Sequence, residues 1–488
     1  MSTGMMSMKT ETDMERDGRR VRVNVGGHHF ETTTRTLPLS DVGDESASTL
    51  GEMTTRMRML MLADSDESAF VDRDPSLFSH LLSLLRTPHS IPPIHQLQQQ
   101  LIHEASLYGL PVLSRFRSAL APPPLLGYDS SLSATLLPAS NPFVTALSPA
   151  PDGSVCLAHA GLISSYDSAL ACSSTLRTHL DRITSLSRLP SPHSQQPLPV
   201  AVAGSLHHPG LHLYDLARGT HLGSVLWSDP SDTRLYKSWV TAIAPSSSSS
   251  TSSPLFASFE APHRENCILC VDPETLQVMG EIGRQSGIAA KSAAAGRVVH
   301  LPQLGGAVFM SSVSAGAFGY SGYMRLWDPR SGDAVWETSE PGGRSRNSSR
   351  FGDSFADVDV DGEQLALYKV CWKSGDVAVA DLRKLGDDPW IYLSDSDAVA
   401  GAGGGVSSIV HCYKGQVFVG RQSGLEVWSS AAGSWRRNWV DGEEEARRGV
   451  VRHMEAGGNR LFLCRQGLDG VQVWQTSCFS HPTSLSLA

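Results

Sequence analysis

Residues 357–362, Asp-Val-Asp-Val-Asp-Gly, carry the residue types and spacing that could bind a calcium ion. Carboxylates at alternate positions followed by a glycine match the start of a calcium-binding loop. The twelfth position of such a loop needs a bidentate glutamate, and this chain has Tyr368 there. Asp361-Gly362 is also a favourable hairpin turn, so we expect a turn here and no metal.

The other candidates for chemistry are weaker. Cys267 and Cys270 form a CxxC pair inside a predicted strand, but no second pair follows at zinc-ribbon spacing, so we expect packing. The glycine-rich stretch 401–405 lacks the Lys-Ser or Lys-Thr of a phosphate-binding loop. His28 and His29 are adjacent, so on a strand they point to opposite faces and cannot share a metal. With no nucleophile elbow and no dense His/Asp/Glu constellation, we predict no catalytic residue, metal or cofactor.

Composition excludes several classes of partner. The 40 Lys and Arg against 49 Asp and Glu give a net charge of −9, and no positive stripe favours nucleic acid. All eight cysteines follow residue 155, scattered among apolar runs, and we expect buried free thiols. The N-terminus lacks a signal peptide's apolar core, and no apolar run is long enough to span a bilayer. We therefore expect a soluble intracellular protein, cytoplasmic or nuclear, with a disordered tail at residues 1–19.

The first elements that could position functional residues form a hairpin. Valines at 21, 23 and 25 alternate with polar residues, as in a half-buried strand, and Gly26-Gly27 supplies the positive φ angles of a two-residue turn. Counting outward from the turn gives the register Val25 to His28, Val23 to Phe30 and Val21 to Thr32.

A strand and two helices are expected next. Phe70-Val71 is predicted as a short strand, and Asp74 can cap a helix whose first residue is Pro75. Leucines and Phe78 form a broad apolar face through residue 86, and Pro88 prevents continuation. A last helix is predicted over about residues 94–108.

Three blocks carry a family resemblance: VNVGG with Phe30, then FVDRDPSLFSHLLSLLRT, then EASLYGL. In this order they resemble the potassium-channel tetramerisation branch of the BTB/POZ fold. The resemblance implies a small α/β domain at residues 20–120 that self-associates into rings, usually of four or five copies. No transmembrane segment follows, so the chain resembles soluble members of the branch, many of which resemble adaptors for cullin-3 ubiquitin ligases. The signature and possible assembly residues are Asn24, Gly26, Gly27, Phe30, Arg73, Asp74, Phe78 and Arg86.

Two roles stay open for three of those residues. For Arg73, Asp74 and Arg86 we expect helix capping and a local ion pair, and contacts between copies in the ring are the alternative. The zinc site found between subunits of some channels is not expected, because residues 1–155 contain no cysteine.

The rest of the chain is repetitive. A connector rich in Pro, Ser and Ala occupies residues 121–142. After it, short apolar strands recur at intervals of 46 to 57 residues. These intervals are longer than a WD repeat, and the additional residues lie in polar insertions. The repeats resemble WD-repeat propellers, although Trp-Asp is complete only at Trp327-Asp328 and the Gly-His dipeptide is mostly missing. The seven marker strands end near Tyr166, Tyr214, Val271, Trp327, Ala380, Trp428 and Trp474.

The sequence therefore predicts a multidomain protein, an N-terminal α/β BTB/POZ domain followed at residues 143–478 by an all-β propeller of about seven four-stranded blades, with a tail at 479–488. Trp327, Trp428 and Trp474 are expected to pack between strands. Because the last repeat is one strand short, residues 125–140 are expected to complete it.

Three functions follow as hypotheses. In the first, the BTB domain assembles and docks on cullin-3 while the propeller captures an unidentified target protein for ubiquitination, as the resemblance to plant BTB/POZ proteins with WD-repeat-like C-terminal regions implies. In the second, a non-enzymatic scaffold or regulator clusters signalling, channel or transcription partners without binding cullin. In the third and weakest, an enzyme uses the propeller centre.

Overall fold

The computed structural model describes residues 20–33, 69–86, 101, 104, 124–138, 143–189, 200–246, 254–263, 265–285, 295–316, 319–340, 354–393, 408–422, 424–431, 434–441 and 449–476. The chain divides into two compact units, Met1–Pro122 and Pro123–Ala488. Both predicted tails, the helix at 94–108 apart from Leu101 and Glu104, the glycine-rich stretch 401–405 and most of the insertions lie outside the described residues.

The first unit contains a three-stranded sheet and a helix. Strands β1 (Arg20–Val25) and β2 (His28–Thr33) form the predicted hairpin, β3 (Ala69–Val71) pairs parallel to β1, and helix α1 spans Pro75–Arg86. Val25 pairs with His28 and Val23 with Phe30, so the predicted register is confirmed. Both turn glycines have positive φ, 55° and 89°.

The core of the first unit joins the sheet to α1. The aromatic rings of Phe30 and Phe78 meet edge to face with centroids 5.1 Å apart. Val23, Val25 and Leu81 are also buried. Asp74 caps α1 as predicted, because its Oδ1 accepts hydrogen bonds from the Ser76 N–H at 2.8 Å and from Ser76 Oγ at 2.7 Å. These two bonds lower the pKa of the Asp74 carboxyl.

Within the described residues, the second unit consists of seven four-stranded antiparallel sheets, the blades of a propeller. Blade 1 contains β5 (Ala146–Pro149), β6 (Val155–His159), β7 (Leu162–Tyr166) and β8 (Cys172–Arg177); blade 2 contains β9 (Ile183–Leu189), β10 (Val200–Ser205), β11 (Leu211–Asp215) and β12 (Thr220–Val225). Blade 3 contains β13 (Trp239–Pro245), β14 (Leu255–Glu260), β15 (Asn266–Asp272) and β16 (Gln277–Gln285); blade 4 contains β17 (Arg297–Leu301), β18 (Ala307–Gly316), β19 (Gly319–Trp327) and β20 (Ala334–Glu340). Blade 5 contains β21 (Phe355–Asp361), β22 (Ala366–Cys371), β23 (Val377–Asp381) and β24 (Ile391–Tyr392); blade 6 contains β25 (Ile409–Tyr413), β26 (Gln416–Arg421), β27 (Gly424–Ala431) and β28 (Ser434–Trp439). Blade 7 contains β29 (Val451–Gly457), β30 (Arg460–Arg465), β31 (Val471–Thr476) and β4 (Ser130–Leu136).

Each marker strand in the sequence is the third strand of its blade. The second and third strands are buried on both faces, whereas outer strands such as β8 and β20 alternate between exposed and half-buried residues. The side chains on the two faces of one strand pack into different cores. Val202 on β10 packs between blades 2 and 3, while its neighbours Ala201 and Ala203 pack between blades 1 and 2. Every blade is therefore held on both sides by apolar contact.

The tryptophans that end three marker strands are buried, as expected. Trp327 lies in the core between blades 3 and 4, Trp428 in the core between blades 5 and 6, and Trp474 in the core between blades 6 and 7. Their exposed fractions are at most 8%. They contribute packing between neighbouring sheets rather than surface for a ligand.

The chain segment before blade 1 supplies the outer strand of blade 7. β4 pairs antiparallel with β31, placing Leu136 opposite Val471 and Ser130 opposite Thr476. Side chains fix the approach to this strand: Gln416 Oε1 accepts from the Gly127 N–H at 2.7 Å, and Thr476 Oγ1 accepts from the Leu126 N–H at 2.8 Å. Leu136 then packs with residues of blades 7 and 1, which closes the ring of blades.

Where β4 joins blade 7, the close approach of the two chain segments requires glycine at position 470. Gly470 has φ +82°, and a Cβ there would lie 2.2 Å from the Leu136 carbonyl oxygen; Gly467 has φ +84° with nothing within 4 Å of its Cβ position. Gly467→Ala should therefore lose about 1–3 kcal/mol of stability through backbone strain alone. Gly470→Ala should lose a further ~1–3 kcal/mol, because the methyl group also collides with β4.

Thermal unfolding of the two purified variants, followed by circular dichroism, measures this difference. The matched variant Gly467→Ala controls for the left-handed backbone. Equal melting temperatures for Gly467→Ala and Gly470→Ala would contradict the closing role of β4.

Candidate functional site

The glycine at the hairpin tip of the first unit is required by close packing as well as by its turn. The Gly26 N–H donates to the Val71 carbonyl at 2.9 Å. A Cβ on Gly26 would lie 2.4 Å from the Arg73 carbonyl oxygen, whereas one on Gly27 would meet nothing within 4 Å. Gly26 therefore lets the segment that leads into α1 cross the hairpin.

The polar signature residues of the first unit make local contacts. Arg73 Nη1 lies 3.4 Å from Oε1 of the buried Glu104, and Arg86 Nη2 donates to the Glu31 carbonyl at 2.7 Å. Asn24 is half-buried, and its Oδ1 has no hydrogen-bond partner among the described residues. His28 and His29 are both exposed at the hairpin tip. Whether Asn24, Arg73 or Arg86 also contacts another copy of the chain stays a prediction.

The innermost strands of the blades surround a central channel in the second unit. A cavity of about 330 Å³ lies within it. Blades 1 to 3 line this cavity with Thr145, Thr184 and Thr241 beside aliphatic side chains. Blades 4 to 7 line it instead with the charged and titratable groups Arg297, Asp357, Arg452, His453 and Glu455, and Asp359 and His411 lie in contact with this group.

These groups form a chain of contacts from blade to blade. Arg297 Nη1 lies 2.7 Å from Asp359 Oδ1, and Arg297 Nη2 lies 3.7 Å from Asp357 Oδ2. On the far side of Asp359, its Oδ2 lies 3.1 Å from His411 Nδ1. Burial alone would raise the pKa of Asp359, but Arg297 and His411 hold it at about 2. Burial raises the pKa of Asp357 and raises that of Glu455 to about 7.

The Asp-Val-Asp-Val-Asp sequence is a strand whose alternate carboxylates join two blades. Asp357 Oδ2 accepts from the Val410 N–H at 3.0 Å, and Asp359 Oδ2 accepts from the Cys412 N–H at 2.8 Å. Asp361 Oδ2 accepts from the Gly415 N–H at 3.1 Å. All three carboxylates of β21 thus bind backbone donors in or just after β25 of the next blade. The turn expected after Asp361 is present, since β22 begins at Ala366.

The imidazole of His411 continues this pattern into blade 7. His411 Nε2 accepts a hydrogen bond from the Ala456 N–H at 3.0 Å, so the proton of the neutral ring belongs on Nδ1, which faces Asp359. Arg297, both aspartates and His411 are therefore engaged in holding blades together. Glu455 is the half-buried carboxyl of this group whose pKa lies near neutrality.

The sequence alone does not reveal this cluster, and the expectation of no dense His/Asp/Glu constellation is wrong. Its members on successive blades are 44 to 60 residues apart in the chain. Only the repeat brings them together, because each lies on the first strand of its blade. Aligning the sequences of the seven first strands would have revealed the cluster.

The channel widens at the ends of the first strands into a mouth of about 710 Å³. Pro149 and Pro151 give this mouth an apolar side, while Glu363 and Lys414 bring opposite charges. Tyr413 also lines it, and its hydroxyl donates to the Gly458 carbonyl at 2.9 Å. The mouth is an open surface that mixes apolar and charged groups, as surfaces that bind protein segments do.

The CxxC pair packs as the sequence analysis predicts. Cys267 is buried between blades 2 and 3, whereas Cys270 packs against the core between blades 3 and 4, on the other face of β15. Burial raises the pKa of both thiols. Among the seven described cysteines Cys172 is exposed, contrary to the expectation of buried thiols.

No helix in the described part of the chain has the length and apolar character needed to span a bilayer.

Comparison with known proteins agrees with this architecture. Residues 21–115 match the family model of the BTB/POZ domain, and residues 139–476 match that of the At2g24240-like C-terminal beta propeller. The chain belongs to this family of BTB/POZ propeller proteins. The predicted BTB domain of the tetramerisation type and the C-terminal propeller are thereby confirmed. Neither matched family model is that of an enzyme.

Two curated relatives and one solved structure align with this chain over different lengths. The chain is 30% identical over 482 residues to BTB/POZ domain-containing protein At5g41330 of Arabidopsis thaliana. The alignment covers 93% of this chain and 96% of that protein. It is 35% identical over 99 residues to SH3KBP1-binding protein 1 of Bos taurus, covering 20% of this chain and 13% of that protein. A chain in the crystal structure of the mitotic checkpoint complex aligns with a TM-score of 0.49 and 11% identity, over 72% of this chain and 96% of that one.

The raised pKa of Glu455 gives the propeller a pH-dependent stability. Between its ordinary value of 4.5 and about 7, Glu455 in the folded protein keeps a proton that it releases in the unfolded chain, so the contribution of Glu455 to stability falls as pH rises through this window. We expect Glu455→Gln to remove that dependence and to stabilise the protein by about 2–3 kcal/mol above pH 7 relative to wild type.

Melting temperatures measured between pH 4.5 and 8 test this expectation. Glu363→Gln makes the same chemical change at an exposed position and serves as the matched control. A wild-type profile parallel to that of Glu455→Gln would show that Glu455 is ionised throughout.

Proposed function

We propose that this protein is a substrate-specific adaptor of a cullin-3 RING E3 ubiquitin ligase. In this proposal the BTB domain docks on cullin-3 and self-assembles, and the propeller captures a target protein. One observation carries the proposal: a single chain joins a tetramerisation-type BTB domain to a closed propeller whose open mouth suits a protein segment. The adaptor transfers no group itself and works by raising the concentration of target lysines near the ligase.

The mouth of the channel is the proposed capture surface. Lys414 and Glu363 can pair with charges of either sign on a target, while Pro149 and Pro151 offer apolar contact. Binding through such a mixed surface gives modest affinity for one propeller. Assembly of several copies through the BTB domain would place several mouths in one particle, and simultaneous binding would then strengthen capture without any new contact.

Self-assembly is supported by groups that the first unit leaves available. Phe70 is 62% exposed at the end of the sheet, and it pairs with Asn24. The buried Oδ1 of Asn24 has no hydrogen-bond partner among the described residues, and a donor from a second copy would satisfy it. The proposed assembly surface therefore includes Asn24 and Phe70.

A scaffold that does not bind cullin is the second candidate function. The similarity to SH3KBP1-binding protein 1 spans 99 residues, and that protein's name describes a partner of another kind. In this alternative, the same assembly and the same mouth cluster binding partners without ubiquitination.

Binding to cullin-3 separates the two functions. The intact protein, first shown to be oligomeric by light scattering, should bind purified cullin-3 in a pull-down. Absence of binding by the correctly oligomeric protein would exclude the adaptor function and leave the scaffold.

Target capture is tested by charge reversal at the mouth. Affinity purification followed by mass spectrometry should recover cullin-3 with both wild type and Lys414→Glu, and target proteins with wild type alone. Lys384→Glu, in the exposed connection between β23 and β24, is the matched control. Equal recovery of every partner by Lys414→Glu would contradict capture at this mouth.

A further inference from the structure

Three histidines meet on the flank of blade 2 that faces blade 1. His179 lies between β8 and β9, His212 lies on β11, and His221 lies on β12. One ring nitrogen from each lies within 4.8 Å of the others. The ring of His179 stands between the other two, with centroid distances of 4.8 Å to His212 and 4.7 Å to His221.

An irregularity in the sheet brings His221 to this flank. His212 pairs with Ser224 and Tyr214 pairs with His221, so Leu222 is an extra residue in β12 opposite β11. In a regular strand, positions 221 and 224 would point to opposite faces. The bulge turns His221 to the face that carries His212, Tyr214 and Ser224.

The buried histidine of this cluster has an unused nitrogen. His212 is only 5% exposed, and its Nδ1 lies 2.8 Å from Ser224 Oγ. Its Nε2 has no hydrogen-bond partner among the described residues. Leaving a buried polar atom unpaired is unfavourable, so a missing partner for this atom would account for the arrangement.

We propose that His179, His212 and His221 bind a divalent transition-metal ion, with Zn(II) as the ion of first choice. Imidazole nitrogen is a preferred ligand of zinc, and a tetrahedral site with bonds of about 2.0–2.1 Å places its ligand atoms roughly 3.3 Å apart. Nitrogens already within 4.8 Å of one another need to close by no more than about 1.5 Å. His179 and His221 are exposed and can make this movement, and water can supply the fourth ligand.

Neighbouring groups prepare the three rings for a cation. The Tyr214 hydroxyl lies 3.1 Å from His179 Nδ1, and Ser224 Oγ lies 3.1 Å from His221 Nε2. Such hydrogen bonds fix the tautomer and orientation of ligand histidines.

A second group of side chains of metal-binding types is already engaged in ion pairs. Asp232, His263 and Glu265 also lie close together, but arginines already neutralise their carboxylates. Arg234 Nη2 lies 2.6 Å from Asp232 Oδ2, and Arg284 Nε lies 2.9 Å from Glu265 Oε1. This group is an ion-pair network, and it provides a control for the histidine site.

Zinc titration of the full-length protein, purified without a polyhistidine tag and freed of metal by a chelator, tests the proposal. Competition with a chromophoric chelator should show one tightly bound Zn(II) per chain. His179→Ala and His221→Ala should each weaken that binding at least tenfold, whereas His263→Ala should leave it unchanged. Both substituted ligands are exposed, so circular dichroism should show folded variants.

Cobalt gives an independent measurement at the same site. Co(II) bound to wild type should produce the intense visible bands of a tetrahedral site, and these should be lost in His179→Ala and His221→Ala. Zinc binding of equal strength in wild type and in the folded double variant His179→Ala/His221→Ala would overturn the proposal. Loss of binding in His263→Ala alone would overturn it as well, by placing the ion at the other group.

Discussion

The burial of every blade between two neighbours is the constraint on which the second unit depends. Because the middle strands are apolar on both faces, a blade without a neighbour would expose one of those faces to water. A linear array of seven blades would expose two. Closing the ring covers both exposed apolar faces, and β4 forms the junction between blades 7 and 1. Leu136 of β4 pairs with Val471 in blade 7 and packs in a core shared with Leu147 of blade 1. Residues far apart in the sequence therefore stabilise each other through one strand.

The same geometry brings polar groups to the axis, where each needs a partner. Side chains on one innermost strand bind the backbone of the next: Thr145 Oγ1 donates to the Ile183 carbonyl, and Thr241 Oγ1 to the Ala295 carbonyl. The aspartates of β21 and His411 extend this pattern through blades 5 to 7. These directional contacts complement the cores, since apolar packing alone tolerates alternative arrangements while a buried carboxylate requires its donors.

The sequence predicts features that depend on local periodicity and misses those that depend on juxtaposition. The hairpin register follows from a two-residue period and Gly26-Gly27, and the seven third strands follow from recurrence. The channel cluster escapes notice because Arg297 and Glu455 are 158 residues apart. The three histidines are hidden for another reason: a strict period of two places His221 on the wrong face, and only the bulge at Leu222 corrects it.

The distribution of these contacts separates the residues that hold the ring from those free to recognise a partner. Asp357, Asp359 and His411 each accept a backbone donor from the next blade, so their substitution would weaken the ring before it altered any chemistry. Short turns that join first to second strands, such as 414–415, contribute little to the cores between blades and border the open mouth. Side chains on those turns can therefore change with little effect on closure. The mouth is accordingly the proposed recognition surface, and the contacts in the channel below it hold the blades together.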